Sequence, residues 1–221
     1  MDNKGFTLLE LLVAFAVFAV LATIAYGGLN SIIDTRVAVA GESARLAQLQ
    51  RAFSIMERDV EQAVSRSIRD ELGEFQPAML LRGDSVEPVL EFTRNGWRNP
   101  TGSARSNLQR VAYGIRENNL IRYHWPVLDR VQDTAAIERV VLEGVDAFQV
   151  SFFRADSWHE VWPPAVSASI SIVQQRAMLP GAVAIAVDVG GWGELKRIFL
   201  IASGDGSSVG SGSAGNPESG G

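Results

Sequence analysis

Apolar positions are arranged along this chain in three ways, one after another. Residues 11–29 run without a charged side chain and are rich in Leu, Val, Ala and Phe. At about 1.5 Å per residue such a run, with its flanks, is long enough to cross a bilayer as a helix. From Asn30 to Leu72 there is no proline, and Leu46, Leu49, Phe53, Met56, Val60 and Val64 recur at intervals of three and four. That period predicts a continuing helix with one apolar stripe. Glu42, Arg45, Arg51, Glu57, Arg58, Asp59, Glu61 and Arg66 are read as its solvent side, with Gly41 as a bend and Gly73 as a C-cap. The stripe itself reads as the seam onto which the chain's own sheet packs.

After Pro77 the period shortens to alternating or short apolar runs broken by Gly, Asn, Asp and Pro. This is the pattern of antiparallel strands and turns. Strands are expected at 78–81, 89–94, 108–115 and 120–125, with Glu117-Asn118-Asn119 turning between the last two. A second group is expected at 139–142, 148–154, 158–162, 182–189 and 195–201, with 166–176 either strand or short helix. No repeat and no alternation of strands with long helices occurs. The fold class is therefore α+β, a long N-terminal and partly transmembrane helix packed on antiparallel β-sheet. Residues 203–221 are mostly Gly and Ser and bury too little to fold, so a disordered tail is expected.

Composition narrows the function. Hydrophobic residues make up 47%, enough for one packed domain beside the anchor. The net charge is -5 with arginines interleaved among acids, which argues against nucleic acid as the main partner. There is no cysteine, so disulfides, thiolate metal sites and Cys nucleophiles are excluded. His124 and His159 lie in expected strands beside Trp125 and Trp158 and match no metal spacing. Neither Asp59 with Glu61 nor Asp70 with Glu71 comes with a sign of a pocket for acid–base work. No catalytic, cofactor-binding or metal residue is assigned, and an enzyme is not expected. Trp158 and Trp162, in the aromatic–proline cluster that ends at Pro164, are candidate partner contacts, with core packing as the plainer account.

The most informative residue is Glu10, because a carboxylate at the start of a spanning helix costs a few kcal/mol unless it is paired or reaches the interface. Cleavage after Gly5 would place the new α-amino group of Phe6 one turn away. In staggered parallel helices Glu10 of one subunit would neutralise the terminus of the next. A secretory signal would have a cationic start, an uninterrupted apolar core and a small-residue site, and an ordinary anchor explains neither Glu10 nor the Gly5-Phe6 step. Lys4-Gly5-Phe6-Thr7-Leu8-Leu9-Glu10 resembles the processing motif of type IV pilins and type II secretion pseudopilins.

Weaker matches through the rest of the chain are Arg58-Asp59, Leu90-Glu91-Phe92-Thr93-Arg94-Asn95-Gly96-Trp97 and Leu108-Gln109-Arg110-Val111-Ala112-Tyr113. Trp162-Pro163-Pro164 and Leu179-Pro180-Gly181-Ala182-Val183 follow in order. Together they resemble the J-type minor pseudopilins of bacterial type II secretion. The resemblance implies a peptidase cut between Gly5 and Phe6, N-methylation of Phe6, and Glu10 as the assembly carboxylate. It implies a leader at 1–5, a membrane and assembly helix at 6–29, a periplasmic domain at 30–202 and the tail at 203–221, held single-pass in the inner membrane. The implied partners are the I-type and K-type minor pseudopilins, the H-type and major pseudopilins, the prepilin peptidase and secreted substrates, in a pseudopilus tip complex without cofactors. A minor pilin of a type IV pilus or competence system is the alternative.

Overall fold

The computed structural model describes residues 8–83, 89–97, 106–132, 134–165 and 170–202. The chain divides into two compact units, residues 1–49 and 50–221. The leader residues Gly5 and Phe6 and the tail from 203 onward lie outside the described residues.

The first unit is helical throughout its described part, forming most of α1 (Leu8–Glu61). No proline interrupts the run, and Gly27, Gly28 and Gly41 stay helical with nothing within 4 Å of an added Cβ. These glycines weaken the helix intrinsically, by about 1 kcal/mol each relative to Ala. No crowding within the chain calls for them.

The second unit opens with the last turns of α1. Ala52, Phe53, Met56 and Val60 are buried there, so this part of the apolar stripe is core, as its spacing predicts. The helix ends at Glu61, eleven residues before the end expected at Leu72. The end of the sheet takes over the backbone: the Asn95 N–H donates to the Gln62 carbonyl at 2.9 Å, and the Val64 N–H donates to the Thr93 carbonyl at 3.0 Å. Beyond it a small hairpin forms, β1 (Ile68–Arg69) with β2 (Phe75–Gln76). Asp70 is in its turn, not on a helix face, and its Oδ1 accepts from the Leu72 and Glu74 N–H groups. Gly73 supplies a φ of +79 to this turn instead of capping a helix.

Five strands then form an up-and-down antiparallel sheet: β3 (Met79–Arg82), β4 (Val89–Arg94), β5 (Gln109–Arg116), β6 (Asn119–His124) and β7 (Ile137–Glu143). Glu117 and Asn118 join β5 to β6 with φ of 52 and 56, a two-residue turn that suits the strand twist. The remaining strands are β8 (Val145–Arg154), β9 (Ser157–His159), β10 (Ala182–Val189) and β11 (Gly193–Leu200), ordered β11-β10-β8-β9 in a second antiparallel sheet. Between β9 and β10 lies the short α2 (Ile172–Ala177), so the helical option for 166–176 holds where the chain is described. Its N-cap Ser171 and Gln174 form a capping box.

Registry fixes the faces of the second sheet. Phe152, Val183 and Phe199 stand in one row, and Phe199 meets Phe53 of α1 at 6.5 Å between ring centroids. On the opposite face Ser151, Ala184 and Ile198 form the corresponding row. The expected strand at 158–162 is shorter than read, because after His159 the chain leaves β8 and crosses to β3, where the Leu81 N–H donates to the Trp162 carbonyl at 3.1 Å.

Candidate assembly site

In the first unit the apolar run 11–29 turns its side chains outward all round: Leu11, Phe15, Phe18, Leu21, Ile24 and Leu29 are each more than half exposed. A helix apolar on every side is stable only in lipid or among other helices. By length and composition this one suffices to cross a membrane. Within the run the Thr23 hydroxyl is satisfied locally, its Oγ1 donating to the Ala19 carbonyl at 2.8 Å. Glu10 lies in the first turn of α1, where the positive end of the helix favours an acid.

The second unit holds the helix end by charge as well as by packing. Asp59, read from sequence as a solvent-side acid, is only 2% exposed. Tyr113 donates its hydroxyl to Asp59 Oδ2 at 2.6 Å, Arg122 Nε donates to the same oxygen at 2.6 Å, and Arg94 pairs with Oδ1. Arg94 also donates to Gln62. Glu91 makes a second centre: Arg110 Nε at 2.8 Å and Arg130 Nη2 at 2.7 Å converge on Oε1, and Arg82 takes Oε2. Strand alternation puts Glu91 and Arg94 on opposite faces of β4. One face is thus bonded to the helix, and on the other Glu91 ties together β3, β5 and the segment between β6 and β7.

Burial pulls the Arg110 guanidinium down to about 10, and the attraction of Glu91 only partly restores it. Three carbonyl and hydroxyl oxygens, of Pro77, Ala78 and Thr93, accept from its Nη1. Arg130 lies over the Trp125 ring at 4.4 Å. Burial, then the charge of Asp59, pushes the Tyr113 hydroxyl well above the ordinary tyrosine range. Sequence reasoning missed these two centres. The available signal was a charged residue inside an apolar strand, Glu91 in β4 and Arg110 in β5.

The other candidates separate cleanly. Trp162 is 1% exposed and packs on Phe152 at 5.4 Å, so it is a core side chain and not a docking contact. Trp158 is 45% exposed and leans on Phe153 at 5.3 Å. His124 ends β6 and His159 ends β9, with His159 Nε2 3.0 Å from Ser157 Oγ. No group of three metal-binding side chains occurs among the described residues.

An N-terminal methylation motif matches residues 1–26, and the family model of type II secretion system protein J matches residues 27–201. The chain belongs to the type II secretion system protein J family. Type II secretion system protein J of Vibrio cholerae is 34% identical over 209 residues, covering 92% of this chain and 89% of that protein. The Klebsiella pneumoniae protein of the same name is 31% identical, covering 92% and 97%. A chain in the crystal structure of the GspK–GspI–GspJ complex of enterotoxigenic Escherichia coli is 29% identical with a TM-score of 0.61, covering 71% of this chain and 97% of that one.

Protein J is a pseudopilin component of the secretion apparatus, not an enzyme family, and the alternative of a type IV or competence pilin gives way to it. Three segments that carried the resemblance meet in space. Asp59 comes from Arg58-Asp59, Arg94 from the 90–97 motif and Tyr113 from the 108–113 motif, and all three join at one carboxylate. In this chain those motifs are the parts by which the domain grips the end of its own helix.

Proposed function

We propose that this chain is a minor pseudopilin, cut between Gly5 and Phe6, methylated on the new Phe6 amine, and packed by α1 into the tip of a type II secretion pseudopilus. The observation that carries the reading is the uncovered apolar helix beginning at an acid, within a matched methylation motif. Lipid covers the helix before assembly, and neighbouring helices replace it afterwards. The Glu10 carboxylate neutralises the α-amino group that cleavage creates, which lowers the cost of burying both.

Residues 1–5 are then the leader, 6–29 the single membrane span, 30–202 a periplasmic domain and 203–221 a tail. The chain resides in the inner membrane. The solved GspK–GspI–GspJ complex supports I-type and K-type pseudopilins as direct partners. The H-type and major pseudopilins, the prepilin peptidase and secreted proteins complete the set. The role is packing and priming of assembly, in support of export of folded proteins, and it uses no cofactor.

The test is intact mass and N-terminal sequencing of the chain from its native membrane, beside a strain lacking the prepilin peptidase. A start at N-methyl-Phe6 that disappears in the peptidase-null strain is expected. A start at Met1, or near Ala25, overturns the reading. Glu10→Ala is expected to be processed normally but to recover less I-type and K-type subunit on pull-down and to secrete less. Normal complex formation by that variant removes the role of Glu10.

A further inference from the structure

β8 is paired with β10 along nearly its whole length. On its other side only the last three residues are matched: Phe152 with His159, Phe153 with Trp158 and Arg154 with Ser157. Residues 148–151 therefore present a strand edge with no neighbouring strand among the described residues. Unpaired edges attract other chains, and folded proteins usually blunt or cover them.

This edge lines a groove of about 610 Å³, a size that suits a bound molecule. Leu81 of β3 and Gly83 just after it border the groove, as does Val161 from the segment beyond β9. The groove runs on past the buried Ala184 and Ala186 of β10 to Glu194 and Lys196 on β11. The departure of the chain from β8 is what opens it. Trp162, packed on Phe152, fastens that segment to the core, and its carbonyl ties it to Leu81.

We propose that the groove takes an extended segment of another polypeptide, which pairs its main chain with residues 148–151 and continues the line of β9. A helix does not suit the site, since its backbone donors and acceptors are spent internally and its diameter is about 10–12 Å. The lining adds a preference. The side chains of Gln149, Ser151, Glu160, Glu194 and Lys196 are engaged in no hydrogen bond or ion pair among the described residues. Two carboxylates against one ammonium favour a cationic side chain on the incoming segment. Main-chain pairing is otherwise tolerant of sequence, so the surface accepts a class of segments. The inference rests on the second unit alone and stands apart from the proposed role of Glu10.

The test uses the full chain in detergent micelles and the capped peptide Thr-Lys-Thr-Lys-Thr-Lys, titrated by calorimetry and followed by amide hydrogen exchange. Binding is expected, with exchange at the edge-facing amides of Phe148 and Val150 slowed about tenfold or more at saturation. Methylating alternate backbone nitrogens of the peptide, or replacing its Lys by Glu, is expected to weaken binding about tenfold or more. Val161→Trp, on a rim residue that is 67% exposed, is expected to fill the groove and abolish binding with the melting temperature unchanged. The proposal is overturned if the peptide does not bind up to about 1 mM, or if the methylated peptide binds as well as its parent. The amides of Gln149 and Ser151 face β10, so protection of the Phe148 and Val150 amides in the free chain overturns it too: unchanged by dilution, it means the chain covers its own edge, and rising with concentration, it means a second copy does.

Discussion

Asp59 is a single carboxylate that compensates two guanidinium groups and orients a buried phenol, so its loss leaves charge where water cannot follow. Asp59→Ala is expected to cost about 3–5 kcal/mol, the range for breaking one partner of a buried pair, read as a lower denaturant midpoint for the full chain in detergent. Tyr113→Phe keeps the ring beside Phe92, 6.4 Å away, and removes only the hydroxyl, for an expected loss of about 1.5–3 kcal/mol. The same phenol sets a pH limit. Its pKa is raised in the folded state by burial and then by Asp59, so the protonated form is favoured there. Its contribution to stability is fully present below the ordinary tyrosine pKa of about 10 and is lost as pH rises from there through the folded value. Stability measured from pH 9 upward is expected to fall more steeply in the parent chain than in Tyr113→Phe. Equal slopes would mean that Tyr113 does not set the limit.

Two elements make the pilin-like body work as one domain: the end of α1 and the sheet surface beneath it. Phe53 is 4% exposed, meets Phe199 and carries the Arg197 guanidinium 5.2 Å above its ring. Phe53→Ala is expected to cost about 3–5 kcal/mol by leaving a cavity at this seam, with the span in residues 11–29 untouched. Far-UV circular dichroism on denaturation would then show a lower midpoint with the native helix content retained at the start. The turn after β4 is constrained as well. Gly96 has a φ of +78 and an added Cβ would collide with Gln62, the residue that accepts from Arg94. Gly96→Ala is expected to cost about 1–2 kcal/mol by strain and by disturbing that contact, measurable in the same titration.

For the whole molecule, the anchor and the folded domain draw stability from different media. An apolar helix such as that at 11–29 gains from leaving water for lipid, and the domain closes its own core without it. A charge at the middle of the span acts on the first alone. Val20→Arg is expected to disfavour insertion by about 2.5–3.5 kcal/mol and to shift the chain from the membrane to the soluble fraction on alkaline carbonate extraction. The domain should remain as resistant to protease as in the parent. Unchanged membrane retention would show that contacts other than the span hold the chain.

How much of this was legible beforehand depends on the range of the interaction concerned. Local period and turn chemistry are properties of neighbouring residues. The apolar run at 11–29, the stripe through Phe53 and Met56, the strands at 89–94 and 182–189 and the Glu117-Asn118 turn were therefore readable directly. The motif around Gly5, Phe6 and Glu10 was readable for the same reason, and it pointed to the family. Three features were decided only in three dimensions. The helix stops at Glu61 because β4 takes the backbone of Gln62 and Val64, a competition between segments thirty residues apart that helical period cannot register. Asp59 leaves the solvent face because Arg94, Tyr113 and Arg122, on three different strands, converge on it. Trp162 becomes core and residues 148–151 keep an open edge because one connection crosses from the second sheet to β3. Sequence patterning determined which stretches are mainly helix, strand and long apolar run, since those follow from local sterics and hydrophobicity. Which charges are buried, where the first helix ends and which strand edge stays free were settled by tertiary packing, because each depends on what distant parts of the chain bring to the same place.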